Sequence, residues 1–198
     1  QLVEKKKPYF LYIGRLTQRK GIIVVNDLCK KLNKRLIVVG QGGTVEDDKL
    51  LCDHAYIDCK FDYRGVVTDT KEKAKLIGEA QAVLVNTQYI GPFEGVHIEA
   101  ALCGTPVITT DWGVFPETVI QGVTGFRTRT LGEAVWAGKN VKNLDPKAIH
   151  EYAISNFSTE RVRHQYQAYF EQLETLYDDG WYADWNSGIS KHNRYNMF

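Results

Sequence analysis

Runs of consecutive apolar residues recur along the chain, each followed by a stretch whose apolar positions fall at helical spacing. "PYFLYIGR" (8–15) is a short apolar-aromatic run ending at a glycine, the pattern of a buried strand. "KGIIVVNDLCKKLN" (20–33) predicts a helix. Val24, Val25, Leu28, Cys29 and Leu32 form its apolar stripe, with Ile23, Asn26, Asp27, Lys30 and Lys31 spaced along the rest. "KRLIVVGQGG" (34–43) is a second strand running into glycines, and "EDDKLLCDHA" (46–55) reads as a short helix or a loop. Strands follow at 61–67, 82–87, 105–110 and 124–128, with helices at 71–80 and 92–104 and a helical turn at 116–122. Gly104 closes the helix over 92–104 as a C-terminal cap. Helices are expected at 131–141 and 145–157, then a long amphipathic helix at 158–179 with Ser158 as N-cap and Glu160 close behind.

Strands that are apolar throughout, each followed by a helix, bury both faces of a parallel sheet. The expected fold is therefore α/β, a Rossmann-like, doubly wound parallel sheet with helices on both faces. Ligands of such sheets sit beyond the carboxyl ends of the strands, at the point where strand order reverses. That directs attention to the loops 14–20, 40–45, 65–70, 87–95 and 110–116. The expected organisation is a linker over 1–8, the α/β domain over 8–180 and an aromatic tail over 181–198.

Composition narrows the function classes. The 198 residues suit one domain, or one and a half, with 43% hydrophobic and 25% charged residues. A net charge of +1 gives no electrostatic case for nucleic acid or an anionic membrane. No apolar run is long enough to span a bilayer, and "QLVEKKKPYF" lacks the apolar core of a signal peptide. The four cysteines, Cys29, Cys52, Cys59 and Cys103, show no CxxC pairing and read as reduced thiols of a cytoplasmic protein. "CDHAYIDC" (52–59) fits no common zinc spacing, so no metal is expected.

Three loops carry candidate chemistry. In "GRLTQRKG" (14–21), Gly14 ends a strand, and Arg15 and Lys20 flank a turn into a helix. A helix N-terminus presents free N–H groups and partial positive charge, so the segment reads as a diphosphate site or as a solvated basic turn. "GQGG" (40–43) lacks the third glycine of a dinucleotide fingerprint, because Val45 stands there, and an acidic segment follows. In "GPFEGVHIEA" (91–100), Gly91-Pro92 makes a turn, and Glu99 lies about one helical turn beyond Gly95, placed to accept the hydroxyls of a ribose. Glu94 reads equally as a carboxylate favoured by the helix dipole. His97 lies off the phase of both carboxylates, as a structural imidazole or a ligand contact.

"YIGRLTQRKG", "VVGQGG", "YRGVV", "VLVNTQYIGPFEGVHIEAALCGTPVITTDWG" and "PETVIQGVTGF" occur in the order found in retaining GT-B glycosyltransferases of the glycogen-synthase and sucrose-synthase type. The resemblance covers about residues 8 to 175 and only the C-terminal, nucleotide-sugar-binding half of that fold. It implies that Arg15 and Lys20, behind Gly14, hold the donor diphosphate and act as the catalytic cations. Gly65, Val66 and Val67 would meet the base, Phe93, Glu94 and Gly95 the sugar and phosphate, and Glu99 the ribose. The family usually carries a first Glu eight positions before the second; this chain has Gly91 there. In the family that Glu contacts the transferred sugar, and Glu94 stands three residues late to replace it.

The resemblance implies a hexosyltransferase that takes a nucleoside-diphosphate sugar as donor substrate, with no further cofactor and no metal. It acts with retention on an acceptor that is a glycan, a lipid or a protein. An N-terminal half outside this chain would complete the site and could make the enzyme membrane-peripheral. Gly91 favours a second reading, a catalytically degenerate module that binds a nucleotide sugar or a partner. A dinucleotide-binding oxidoreductase domain is disfavoured by the poor glycine fingerprint.

Overall fold

The first strand shows how both faces of the sheet are buried. In the computed structural model, which describes residues 2–179, β1 (Lys7–Ile13) turns Phe10 and Tyr12 to one face and Tyr9 and Leu11 to the other. All four are buried, as expected where helices cover a parallel sheet on both sides. The strands β2 (Arg35–Val39), β6 (Phe61–Tyr63), β7 (Ala80–Val85), β8 (Val107–Thr110) and β9 (Gly125–Thr128) join β1 in the order β6-β2-β1-β7-β8-β9. Every pairing is parallel. The order reverses direction between β1 and β7, so the switch point lies between the loops that follow those two strands.

The helices α1 (Ile22–Leu32) and α5 (Leu131–Asn140) pack against the face that carries Phe10 and Tyr12, through Val25, Leu28, Ala134 and Ala137. On the opposite face, α2 (Thr70–Glu79), α3 (Gly95–Leu102) and the single turn α4 (Phe115–Thr118) contribute Ile77, Ala100 and Phe115. Burial of each such large apolar side chain is worth about 1.5–3 kcal/mol. α2 is capped by the Asp69 carboxylate, which accepts the Lys71 N–H at 2.9 Å.

The expectation of a helix or loop at 46–55 is corrected. Residues 43–57 form a small antiparallel sheet, β3 (Gly43–Glu46), β4 (Lys49–Cys52) and β5 (Ala55–Ile57). Two-residue turns join its strands. Asp47 and Asp48 have φ of 46° and 60°, and Asp53 and His54 of 47° and 65°. Positive φ at both central residues is the type I′ geometry that matches strand twist, and Asp and His accept it more readily than most residues. Alternation then buries Leu50, Cys52 and Ile57 and leaves Tyr56 exposed.

Asn26 lies off the apolar stripe expected for α1. It is buried, and its Oδ1 accepts the N–H groups of Asp58 and Cys59, each at 3.0 Å. Those bonds satisfy backbone donors that would otherwise be costly inside the protein. Val24, placed on the apolar stripe, is only half-buried, while Ile22 is fully buried.

The chain divides into two compact units, Gln1–Ala153 and a second beginning at Ile154. The helix α6 (Pro146–Phe157) gives Ile149 and Ala153 to the core of the first unit. The helix α7 (Thr159–Asp179) belongs to the second and starts where the Ser158 hydroxyl accepts the Arg161 N–H at 3.2 Å. The aromatic tail over 181–198 lies outside the described residues.

Candidate functional site

The loop 14–21 leaves β1 beside the switch point and is held from three directions. Leu16 N–H donates to the Gln41 carbonyl at 3.0 Å, and the Arg19 carbonyl accepts Gln88 N–H at 2.7 Å. From the small sheet, Asp53 Oδ2 accepts Gln18 N–H at 2.9 Å, and Gln18 Nε2 donates to the Asp53 carbonyl at 2.9 Å. Gly21 ends the loop with φ 79°, and a Cβ there would lie 1.8 Å from the Asn86 carbonyl oxygen. Only glycine allows the loop to press so closely on the end of β7. α1 starts at Ile22 with no side-chain cap. Its first N–H groups and its dipole therefore face the loop, in the arrangement that favours an anion.

Arg15 is exposed at the mouth of this loop, and Tyr12 Oη donates to its carbonyl at 2.7 Å. Lys20 is largely enclosed. Its Nζ lies 2.8 Å from Glu94 Oε1 and 2.7 Å from Glu94 Oε2, and 5.1 Å from the centre of the Tyr89 ring. Burial alone would lower the Lys20 ammonium; the Glu94 carboxylate and Tyr89 outweigh it and leave its pKa above the ordinary value. Tyr89 Oη donates to Glu94 Oε1 at 2.6 Å.

Glu94 is the residue before α3, yet its carboxylate makes no cap to that helix. It folds back over Gly91 instead. A Cβ on Gly91 would stand 2.9 Å from Glu94 Oε1 and 3.4 Å from its Cγ. The carboxylate of residue 94 therefore fills the space beside residue 91. The Gly91 carbonyl accepts Val114 N–H at 3.1 Å, and Trp112 Nε1 donates to the Thr87 carbonyl at 3.1 Å, tying the loops after β7 and β8 together.

Glu99, half-buried on α3, is set against α2: Lys73 Nζ lies 2.8 Å from its Oε1 and 2.7 Å from its Oε2. His97 is buried, with Nε2 2.8 Å from Thr118 Oγ1 and Nδ1 against the Glu94 carbonyl. Its ring stands between Phe93 and Phe115, with centroids 5.8 and 5.3 Å away. Burial holds the imidazole below its ordinary pKa, and hydrogen bonding to Glu94 only partly offsets this. Its structural reading is the one these contacts support.

Gly14, Gly65, Val66, Val67, Phe93 and Gly95 ring the same end of the sheet. Gly14 N–H donates to the Val39 carbonyl at 3.0 Å, and the Gly65 carbonyl accepts Gly40 N–H at 2.7 Å. Val67 packs on the core, whereas Val66 and Phe93 are 61% and 59% exposed. Asn86 Oδ1 and Thr87 Oγ1 after β7, and the hydroxyls of Thr109 and Thr110 at the end of β8, are buried without a hydrogen-bond partner among the described residues. Unpaired buried polar atoms are rare, and these cluster at the strand ends where ligands bind.

The loops were legible as candidates from the strand pattern, but Asp53, Tyr89 and Lys73 were not singled out. Tyr89 stands beside the Gly-Pro turn, and that position was its only local signal. The polar and thiol side chains of the segment 52–59 take separate places in the fold. Cys52 is in the core, Asp53 holds Gln18, and Asp58 pairs with Lys30 at 2.7 Å. Cys59 and Cys29 are both buried, and the nearby Cys59 together with burial holds the Cys29 thiol above its ordinary pKa.

A six-stranded doubly wound parallel sheet with helices on both faces defines a Rossmann-like domain. The family model for glycosyl transferases group 1 matches residues 1–131. The chain belongs to that family. A glycosyltransferase of Methanocaldococcus jannaschii is 30% identical over 160 residues, 78% of this chain and 40% of that protein. The alpha-maltose-1-phosphate synthase of Mycobacterium tuberculosis is 26% identical over 129 residues, 62% of this chain and 33% of the synthase. Among solved structures, the sucrose-phosphate synthase of Thermosynechococcus elongatus superposes with a TM-score of 0.68 at 24% identity, over 86% of this chain and 46% of that one. Anabaena HepE in complex with UDP gives 0.68 at 20% identity, over 84% of this chain and 49% of HepE. The chain thus spans less than half the length of these relatives and has the Rossmann-like fold of a GT-B half. No helix among the described residues is long and apolar enough to cross a membrane.

Proposed function

We propose that this chain is the donor-binding part of a retaining hexosyltransferase that uses a nucleoside-diphosphate sugar. The observation that carries the reading is the convergence of Lys20 and the uncapped start of α1 at the switch point between β1 and β7, with Arg15 at its mouth. A diphosphate there meets two cations and free backbone N–H groups. Anabaena HepE, with the same fold, has been crystallised with UDP, with UDP-glucose, and with UDP and glucose together.

In the reaction, the bond between the anomeric carbon and the leaving phosphate oxygen breaks. The acceptor oxygen bonds to that carbon on the same face, and the acceptor proton leaves with the nucleoside diphosphate. Negative charge grows on the diphosphate as the bond breaks. Arg15 and Lys20 are placed to stabilise it, a role worth about 3 kcal/mol per well-placed donor. Glu99 takes the ribose hydroxyls, with Lys73 fixing its carboxylate. The backbone at Gly65, Val66 and Val67 borders the base, and Phe93 and Gly95 border the sugar. The acceptor site belongs to parts of the protein outside this chain.

The test is isothermal titration with UDP, GDP, ADP and inorganic pyrophosphate. One nucleoside diphosphate should bind more tightly than the others, and Arg15→Ala should weaken it about tenfold, the loss of one charge-assisted contact. Equal binding by Arg15→Ala and its parent removes the phosphate assignment. Nucleotide binding without any donor hydrolysis or transfer by the full-length protein would favour the degenerate module, the reading that Gly91 supports.

A further inference from the structure

Lys20 is the enclosed cation of the candidate site, and its ammonium is already engaged by a carboxylate. Both oxygens of Glu94 are on its ammonium, at 2.8 and 2.7 Å, and the two side chains are only 19% and 14% exposed. We infer that Glu94 is an internal competitor for the donor diphosphate, a carboxylate that holds Lys20 until a phosphate displaces it. This rests on the donor-binding reading above and concerns how the same site is regulated.

Several features show that the pairing is built rather than incidental. Glu94 precedes α3, where a side chain ordinarily caps the helix, but its carboxylate makes no such bond. It reaches Lys20, 74 positions away in sequence. The space it occupies exists because residue 91 has no side chain: a Cβ there would be 2.9 Å from Glu94 Oε1. Tyr89 braces both partners, donating from Oη to Glu94 Oε1 at 2.6 Å while its ring lies 5.1 Å from Lys20 Nζ.

The same bracing gives the carboxylate somewhere to go. When Lys20 turns to a phosphate, the Tyr89 hydroxyl remains as a donor to Glu94, so release does not strand a charge. A diphosphate carries more negative charge than a carboxylate and also meets Arg15 and the α1 N-terminus, so it wins the contest. It wins at a reduced affinity, because the displaced carboxylate stays nearby and repels it. The device disfavours weakly charged or incomplete ligands, which lack the charge to take Lys20 from Glu94.

The experiment compares the chain with Glu94→Gln, which keeps the shape and removes the charge. UDP, GDP and ADP are titrated at low salt into both, and into the same pair carrying Lys20→Gln. The preferred nucleotide should bind about tenfold more tightly to Glu94→Gln, and the gain should fall to within about twofold when Lys20 is absent. Equal or weaker binding by Glu94→Gln overturns the competition and makes Glu94 a support for Lys20 or a direct ligand.

A second readout needs no nucleotide. Acetic anhydride labelling followed by mass spectrometry reads the reactivity of the Lys20 amine against that of exposed Lys71. Losing its counter-ion should make Lys20 react at least about threefold faster in Glu94→Gln, since burial then favours the neutral amine. Unchanged labelling shows that Glu94 does not hold Lys20 and also overturns the inference. Faster labelling with no nucleotide bound by either chain rejects the donor reading, and the competition with it.

Discussion

Asp53 and Gln18 exchange two hydrogen bonds, side chain to backbone in each direction, both at 2.9 Å. The turn between β4 and β5 is thereby fastened to the loop that delivers Lys20. Asp53 has φ 47°, so replacement by glycine keeps the backbone relaxed and removes only the carboxylate. Asp53→Gly should cost about 1 kcal/mol, as for a lost cap, read from the urea midpoint. It should also weaken nucleoside diphosphate binding several-fold, and Asp53→Asn, which retains an acceptor oxygen, should lie close to the parent. Full affinity in Asp53→Gly would mean the loop keeps its shape without the small sheet.

Glu99 on α3 and Lys73 on α2 form an ion pair, and the proposed function gives Glu99 the ribose hydroxyls. Glu99→Ala should weaken a nucleoside diphosphate about tenfold and leave inorganic pyrophosphate unchanged, because only the former has hydroxyls to lose. Titration with both ligands decides it, and equal losses would assign Glu99 to the fold rather than to the ribose.

His97 gives a pH dependence with a definite sign. Its folded-state pKa lies below the ordinary value of 6.5, chiefly through burial. The unfolded chain therefore binds more protons as pH falls, and the folded state loses stability below about pH 6.5 and not above it. Urea midpoints at pH 7.5, 6.5 and 5.5 should decline across the lower interval. His97→Gln, whose amide can still bond Thr118, should flatten that decline, and an unchanged slope would place the proton elsewhere.

Gly21→Ala should be among the most damaging single-methyl additions available. The new carbon would meet the Asn86 carbonyl oxygen at 1.8 Å in a left-handed backbone. Separating the loop from β7 to relieve this should cost at least about 3 kcal/mol. Urea unfolding of Gly21→Ala beside Gly122→Ala makes the comparison, since Gly122 has φ 75° but nothing within 4 Å of an added Cβ. Similar losses in both would attribute the effect to backbone strain alone.

Local pattern carried most of the fold. β1, β2, β7 and β8 are readable because each is built on a short run of apolar residues bounded by charged, polar or glycine-bearing segments. The switch-point loops followed from that alternation. The small sheet was hidden because its turns use Asp47-Asp48 and Asp53-His54, where no glycine announces positive φ. Helical phase alone leaves Asn26 off the apolar stripe, and the partners that bury it, Asp58 and Cys59, lie in a segment far along the chain. Glu94 was legible as a carboxylate at a helix start, but its position over Gly91 and its grip on Lys20 depend on the loops after β1 and β7 meeting in space. No local periodicity encodes such a meeting.

The fit of Glu94 over Gly91 also constrains how this sequence can change. A chain with carboxylates at both positions would crowd two anions into one space against a single ammonium. A chain with neither would leave Lys20 enclosed without a counter-charge. A carboxylate added at 91 or removed from 94 disturbs the pairing with Lys20. Positions 91 and 94 are therefore coupled in space, and what a substitution at one costs depends on what the other carries.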